Sequence, residues 1–135
     1  MNQLFLEDLA GSTDAQVREY INANFGGDRA GYDGRPGILK PEDFDDRFDV
    51  LIAYVSVGSW GCDSSAFFLL REKNTGNLFE VHGSHCSCYG FEGQWQPEGT
   101  GLEYLKSDKF SFSTGGYDDN ARENEQKVRE FLAAL

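Results

Sequence analysis

Residues 65–83, SAFFLLREKNTGNLFEVHG, decide the fold. SAFFLLREK (65–73) is a run of aromatic and aliphatic residues, NTGN (74–77) is turn chemistry, and LFEVHG (78–83) is a second apolar run. Two such runs joined by a short glycine-containing loop read as an antiparallel hairpin. Within LFEVH a period of two puts Leu78, Glu80 and His82 on one face and Phe79 and Val81 on the other. Upstream, DVLIAYVSVG (49–58) is apolar, β-branched and bounded by glycine, which adds another strand.

Helical patterns flank this β core. In STDAQVREYINANFGG (12–27), Thr13 and Gln16 fit a capping box and Gly26 is a stop at C′. Val17, Tyr20, Ile21, Asn24 and Phe25 recur at the spacing of one helix face. Before it, Leu4, Phe5, Leu6 and Leu9 read either as a short helix or as an ordered arm. GTGLEYLKSD (99–108) reads as a short helix and KFSFS (109–113) as an edge strand. DDNARENEQKVREFLAAL (118–135) closes as a helix capped by Asp118 or Asp119, with Ala121, Val128, Phe131, Leu132 and Leu135 inward. The order predicts one compact α+β domain over residues 1–135: a mainly antiparallel sheet of about three to four strands with N- and C-terminal helices packed on it. The helical N-terminal part covers about 3–26, the β core about 48–95 and the C-terminal helix about 118–134.

A chain of 135 residues is one domain by size, and 39% hydrophobic with 14% aromatic residues argues against disorder. Twenty-three acids against twelve bases leave a formal charge of −11, which excludes direct nucleic-acid binding and disfavours an anionic membrane. The acid either serves solubility or attracts a basic partner. MNQLFLEDLAG lacks the basic and apolar regions of a secretion signal, and no stretch approaches a membrane span. Three cysteines suit a reducing cytoplasm better than a disulfide framework. The glycines of GGDRAGYDGRPG (26–37) lack the Gly-Lys-Ser/Thr of a phosphate loop, and PEDFDDRFD (41–49) lacks the glycine and spacing of a calcium loop. The latter reads as a solvated acidic turn carrying Glu42, Asp43, Asp45 and Asp46.

VHGSHCSCYGFEGQW (81–95) concentrates both histidines, His82 and His85, and two of the three cysteines, Cys86 and Cys88. Three chemistries compete for it. Zinc takes four Cys/His ligands, and Cys62 from SWGCDSS would complete a set with Cys86, Cys88 and His82 or His85, although paired C-x₂₋₄-C spacing is missing. A nucleophilic Cys86 or Cys88 would use His82 or His85 as base, oriented by Glu80 or Glu92, although such bases usually come from elsewhere in the chain. A structural turn would use Gly83 and Gly90 for unusual backbone angles, with Tyr89, Phe91 and Trp95 pinning the loop to the core.

GSHCSCYGFEGQW after the strand pair AFFLLREKNTGNLFEVH resembles a family of small, mostly phage- and prophage-encoded proteins sharing a G-S-H-C-S-C-Y-G-[LF]-E-G-Q-W segment. The likeness spans about residues 50–105 and carries no established activity. It implies an accessory factor in a bacterial cytoplasm that binds and modulates a host or phage protein, including antagonists of antiviral defence that present acid to a basic partner. In that reading the chain is not an enzyme and needs no cofactor, unless zinc locks the loop. Glu42, Asp43, Asp45 and Asp46 steer the partner, and Trp60, Tyr89, Phe91 and Trp95 are its aromatic anchors. The alternative is a small zinc- or thiol-dependent enzyme built on the His82–Cys88 cluster.

Overall fold

The computed structural model describes residues 3–26, 39–57, 64–85, 91, 93–112 and 121–135. Its elements in chain order are β1 (Leu4–Glu7), α1 (Asp14–Asn24), a 3₁₀ turn (Pro41–Asp43), β2 (Phe48–Val57), β3 (Ser64–Glu72), β4 (Leu78–His85), β5 (Glu98–Thr100), α2 (Leu102–Leu105) and α3 (Ala121–Ala133). The strands form one five-stranded sheet in sequence order. β2 to β5 run antiparallel, and β1 lies parallel to β2. The fold is α+β, with the hairpin of 65–83 at its centre.

Each sheet face carries its own core. On one, Val17 and Ile21 of α1 pack with Phe25, Phe44, Phe68 and Val81. On the other, Leu105, Val128 and Leu132 of α2 and α3 pack with Tyr54, Phe67 and Leu69. A β-bulge in β2 sets which residue goes where. Val50 pairs with Leu70 but Ile52 pairs with Leu69, so Leu51 is the extra residue. Even-numbered Phe48 and Val50 face α1, whereas beyond the bulge odd-numbered Ala53 and Val55 do. One inserted residue thus reverses the parity of the strand.

The helix-or-arm reading of the N-terminus is corrected: residues 4–7 are a strand. Leu4 and Leu6 pack with the α3-side core, while Phe5 joins the other. The pairing of Leu4 with Ile52 is set by residues remote in the chain, which local periodicity cannot reveal. The edge-strand reading of KFSFS also fails over 109–112. Phe110 and Phe112 lie against Phe67, at 5.6 and 5.0 Å between ring centroids, covering a sheet face instead of extending its edge. The edge is β5, followed by the expected short helix. The capping box holds, with Thr13 Oγ1 accepting from the Gln16 N–H and Gln16 Oε1 from the Thr13 N–H. Asp118 and Asp119 lie outside the described residues.

Candidate functional site

The two ends of the 81–95 segment meet. Ser84 in β4 donates its N–H to Gln94 Oε1 at 2.8 Å and accepts from Gln94 Nε2 at 2.6 Å. One amide side chain thus does for Ser84 what a neighbouring strand would do. One residue earlier, a Cβ on Gly83 would sit 3.0 Å from the Phe91 ring and 3.1 Å from the Phe25 ring. Phe91 and Phe25 are stacked 4.8 Å apart. Gly83 itself has no left-handed backbone. The expectation that it serves an unusual angle is therefore corrected: glycine is needed because two rings occupy the place of its side chain. Gly93, at φ 75°, is the residue of this segment that does use the left-handed region.

Most of the sequence-predicted chemistry falls beyond that clasp. Trp60, Cys62, Cys86, Cys88, Tyr89, Gly90 and Glu92 lie outside the described residues, as does the side chain of His85, whose backbone pairs with Ser64. Among the described residues no three His, Cys, Asp or Glu side chains converge as metal ligands. His82 is half-exposed on the face opposite the Gly83–Phe91 contact. Its ring lies 5.1 Å from Phe67, and its Nε2 is 3.0 Å from Glu80 Oε1. Burial pushes the Glu80 carboxyl up, but hydrogen bonds from His82 and Thr100 outweigh it and hold the group below the usual carboxylate range. An ionised Glu80 only accepts, so a neutral His82 carries its proton on Nε2 and leaves Nδ1 as the base or ligand atom.

The predicted partner-binding residues divide. Phe91 is 4% exposed and belongs to the core, which corrects its role as a surface anchor. Trp95 is half-buried against Phe44, at 4.9 Å between centroids, and donates Nε1–H to the Asp43 carbonyl at 3.1 Å. Glu42, Asp43 and Asp46 are exposed on the turn that Trp95 holds. Asp45, still partly exposed, turns toward α1, where it accepts from Arg18 Nη1 at 3.3 Å and from Asn22 Nδ2 at 2.9 Å.

Arg18 carries no conspicuous motif in the sequence, yet it organises this side of the molecule. Its guanidinium lies 2.9 Å from Asp14, 3.3 Å from Asp45 and 3.7 Å from Asp49, and 5.1 Å from the Phe44 ring centroid. Burial raises the Asp14 pKa, but hydrogen bonds from Gln3 and Arg18, with the charges of Arg18 and Lys73, bring it below the usual range. Only the i, i+4 spacing of Asp14 and Arg18 hinted at this. Beside it, α1 and the acidic turn wall an open hollow of about 840 Å³.

Comparison with known proteins gives no significant match: no family model, curated protein or solved structure aligns with the chain. Among the described residues no helix is long and apolar enough to cross a membrane.

Proposed function

We propose that the protein is a non-catalytic interaction factor that binds a basic surface of another protein and modulates it. The observation that carries this reading is the Trp95–Asp43 hydrogen bond, which joins two motifs distant in sequence. Through it the conspicuous 81–95 segment braces the acidic turn against the core, so Glu42, Asp43 and Asp46 are presented from a fixed backbone. Fixed carboxylates raise association rates with a basic partner and lose less entropy on binding than a floppy acidic loop. The resemblance to phage-encoded proteins supports a host or phage protein as partner, and antiviral defence as the setting.

The test is capture from a bacterial lysate, followed by kinetics with the purified partner across a salt series. Reversal of the turn by Glu42→Lys, Asp43→Lys and Asp46→Lys is expected to slow association about tenfold or more at low salt and flatten the salt dependence. Unchanged kinetics would remove the acidic turn from the interface.

The Glu80–His82 pair favours a second reading, a small zinc- or thiol-dependent enzyme. Its test is metal content by native mass spectrometry, with the Cys86→Ser variant. One zinc per chain, lost in that variant, would support it. Metal-free protein whose cysteines resist alkylation until unfolding would count against it.

A further inference from the structure

We infer that the outer edge of β5 is a docking site for an extended basic segment of a partner protein, which adds to the sheet as a further strand; this deepens the interaction reading above and rests on it. β5 ends the sheet, pairing with β4 and, among the described residues, with no strand on its other side. The direction of its backbone groups follows from Ser84, which turns both its N–H and its C=O away from β3, toward Gln94. Antiparallel ladders alternate, so Leu78 and Glu80 also turn away from β3 and bond with their partners Thr100 and Glu98. Gly99 lies between those two and therefore points its N–H and C=O out of the sheet, where neither meets a described residue. Gln94 covers this side of β4 at Ser84, and among the described residues nothing does the same for Gly99.

The edge is open to close approach. Among the described residues a Cβ on Gly99 would meet only the Phe79 ring, at 4.0 Å, and one on Gly101 would meet nothing. Gly101 keeps extended angles, φ −138° and ψ 156°, so the bare backbone runs on past β5. Sheet edges are commonly blunted with lysine, which deters added strands. Here the charge is acid: Glu98 and Glu103 are exposed, and neither forms an ion pair with a described residue. That charge names the occupant, a strand with Lys or Arg across from Glu98. Across from Gly99 an aromatic residue would cover the bare glycine and reach the half-buried Phe79. Leu102 and Tyr104, the exposed large hydrophobics of the described chain, follow directly and give the segment a further apolar contact. Main-chain hydrogen bonds would supply the affinity and these side chains the selectivity.

The experiment is a titration of the whole protein at low salt with the peptide acetyl-Thr-Lys-Phe-Lys-Thr-amide and its acidic counterpart acetyl-Thr-Glu-Phe-Glu-Thr-amide, followed by two-dimensional amide NMR. The basic peptide is expected to shift the Gly99 and Gly101 amides and to slow hydrogen exchange at Gly99, and the acidic one to bind about tenfold more weakly or not at all. Gly99→Pro removes the outward donor and leaves the bonds to β4, a substitution that edge strands accept. It should weaken binding about tenfold, with exchange at the Thr100 amide unchanged. Gly99→Ala keeps the N–H and should keep the binding. Glu98→Lys leaves the backbone alone and should reverse the preference between the two peptides, which tests the site even if the proline variant loses β5. Binding that survives Gly99→Pro and Glu98→Lys, or that shifts only residues 42–46, would overturn the edge site and leave the acidic-turn reading standing. A Gly99 amide that shifts with protein concentration alone would give the edge to a second copy and overturn the proposal. No binding of the basic peptide by the wild-type protein would overturn the edge site alone, because the turn-reversal kinetics above judge the interaction reading separately.

Discussion

At the scale of single residues, Gly83 shows how a sequence marks a position without giving its reason. A glycine beside histidines and cysteines suggests a turn, yet the backbone there is ordinary strand, and the constraint comes from Phe25 and Phe91. In an open strand Gly→Ala would gain stability by restricting the unfolded chain. Here the added methyl meets two stacked rings, so Gly83→Ala is expected to cost about 1–3 kcal/mol in chemical denaturation. A stabilised variant would show that the rings yield. Glu80 provides a pH test. Its folded pKa lies below the ordinary 4.5, so its contribution is complete above that value and is lost as pH falls through the lower folded one. Glu80→Gln should therefore destabilise the protein near neutrality, with the difference from wild type shrinking in acid. A difference that stayed constant with pH would show that ionisation of Glu80 is not what stabilises it.

At the scale of elements, local signals were legible and long-range ones were not. The Thr13–Gln16 box, the hairpin at NTGN and the two-faced alternation of LFEVH are written within a few residues each, and all three are present. The bulge at Leu51 could not be read, because VLIAYV (50–55) is apolar throughout and its parity shows only against Leu69 and Leu70. β1 was hidden for the same reason. Thr13→Ala should cost about 1 kcal/mol, read as a lower thermal midpoint, since it removes a cap from an exposed helix start. Gln94→Ala should cost about 1–2 kcal/mol by opening both hydrogen bonds to Ser84. Its signature would be faster hydrogen exchange at the Ser84 amide, with β3 unaffected.

At the scale of the whole molecule, charge and chain order matter most. The candidate site was half legible: the acidic turn and the 81–95 segment stand out in sequence, whereas their union through Trp95 and the hollow at Arg18 require contacts made only by folding. A net charge of −11 repels itself in the compact state, and the salt bridges that offset it are largely at the surface. Raising salt from low to moderate concentration should therefore raise the thermal midpoint; a fall would mean that attractive pairs outweigh the repulsion. The strand order has a consequence for how the molecule assembles. From β2 to β5 each strand pairs with its successor in the chain, so every new pairing closes a loop shorter than the one that brings β1 to β2, the longest of them running from Glu80 to Glu98 between β4 and β5. β1 reaches its partner only across α1 and the acidic turn, a closure of more than forty residues as judged from the Leu4–Ile52 pairing. The meander is thus expected to be formed in the folding transition state, with β1 joining afterwards. Leu6→Ala would then mainly speed unfolding, whereas Leu69→Ala would mainly slow folding, a contrast that stopped-flow kinetics can read.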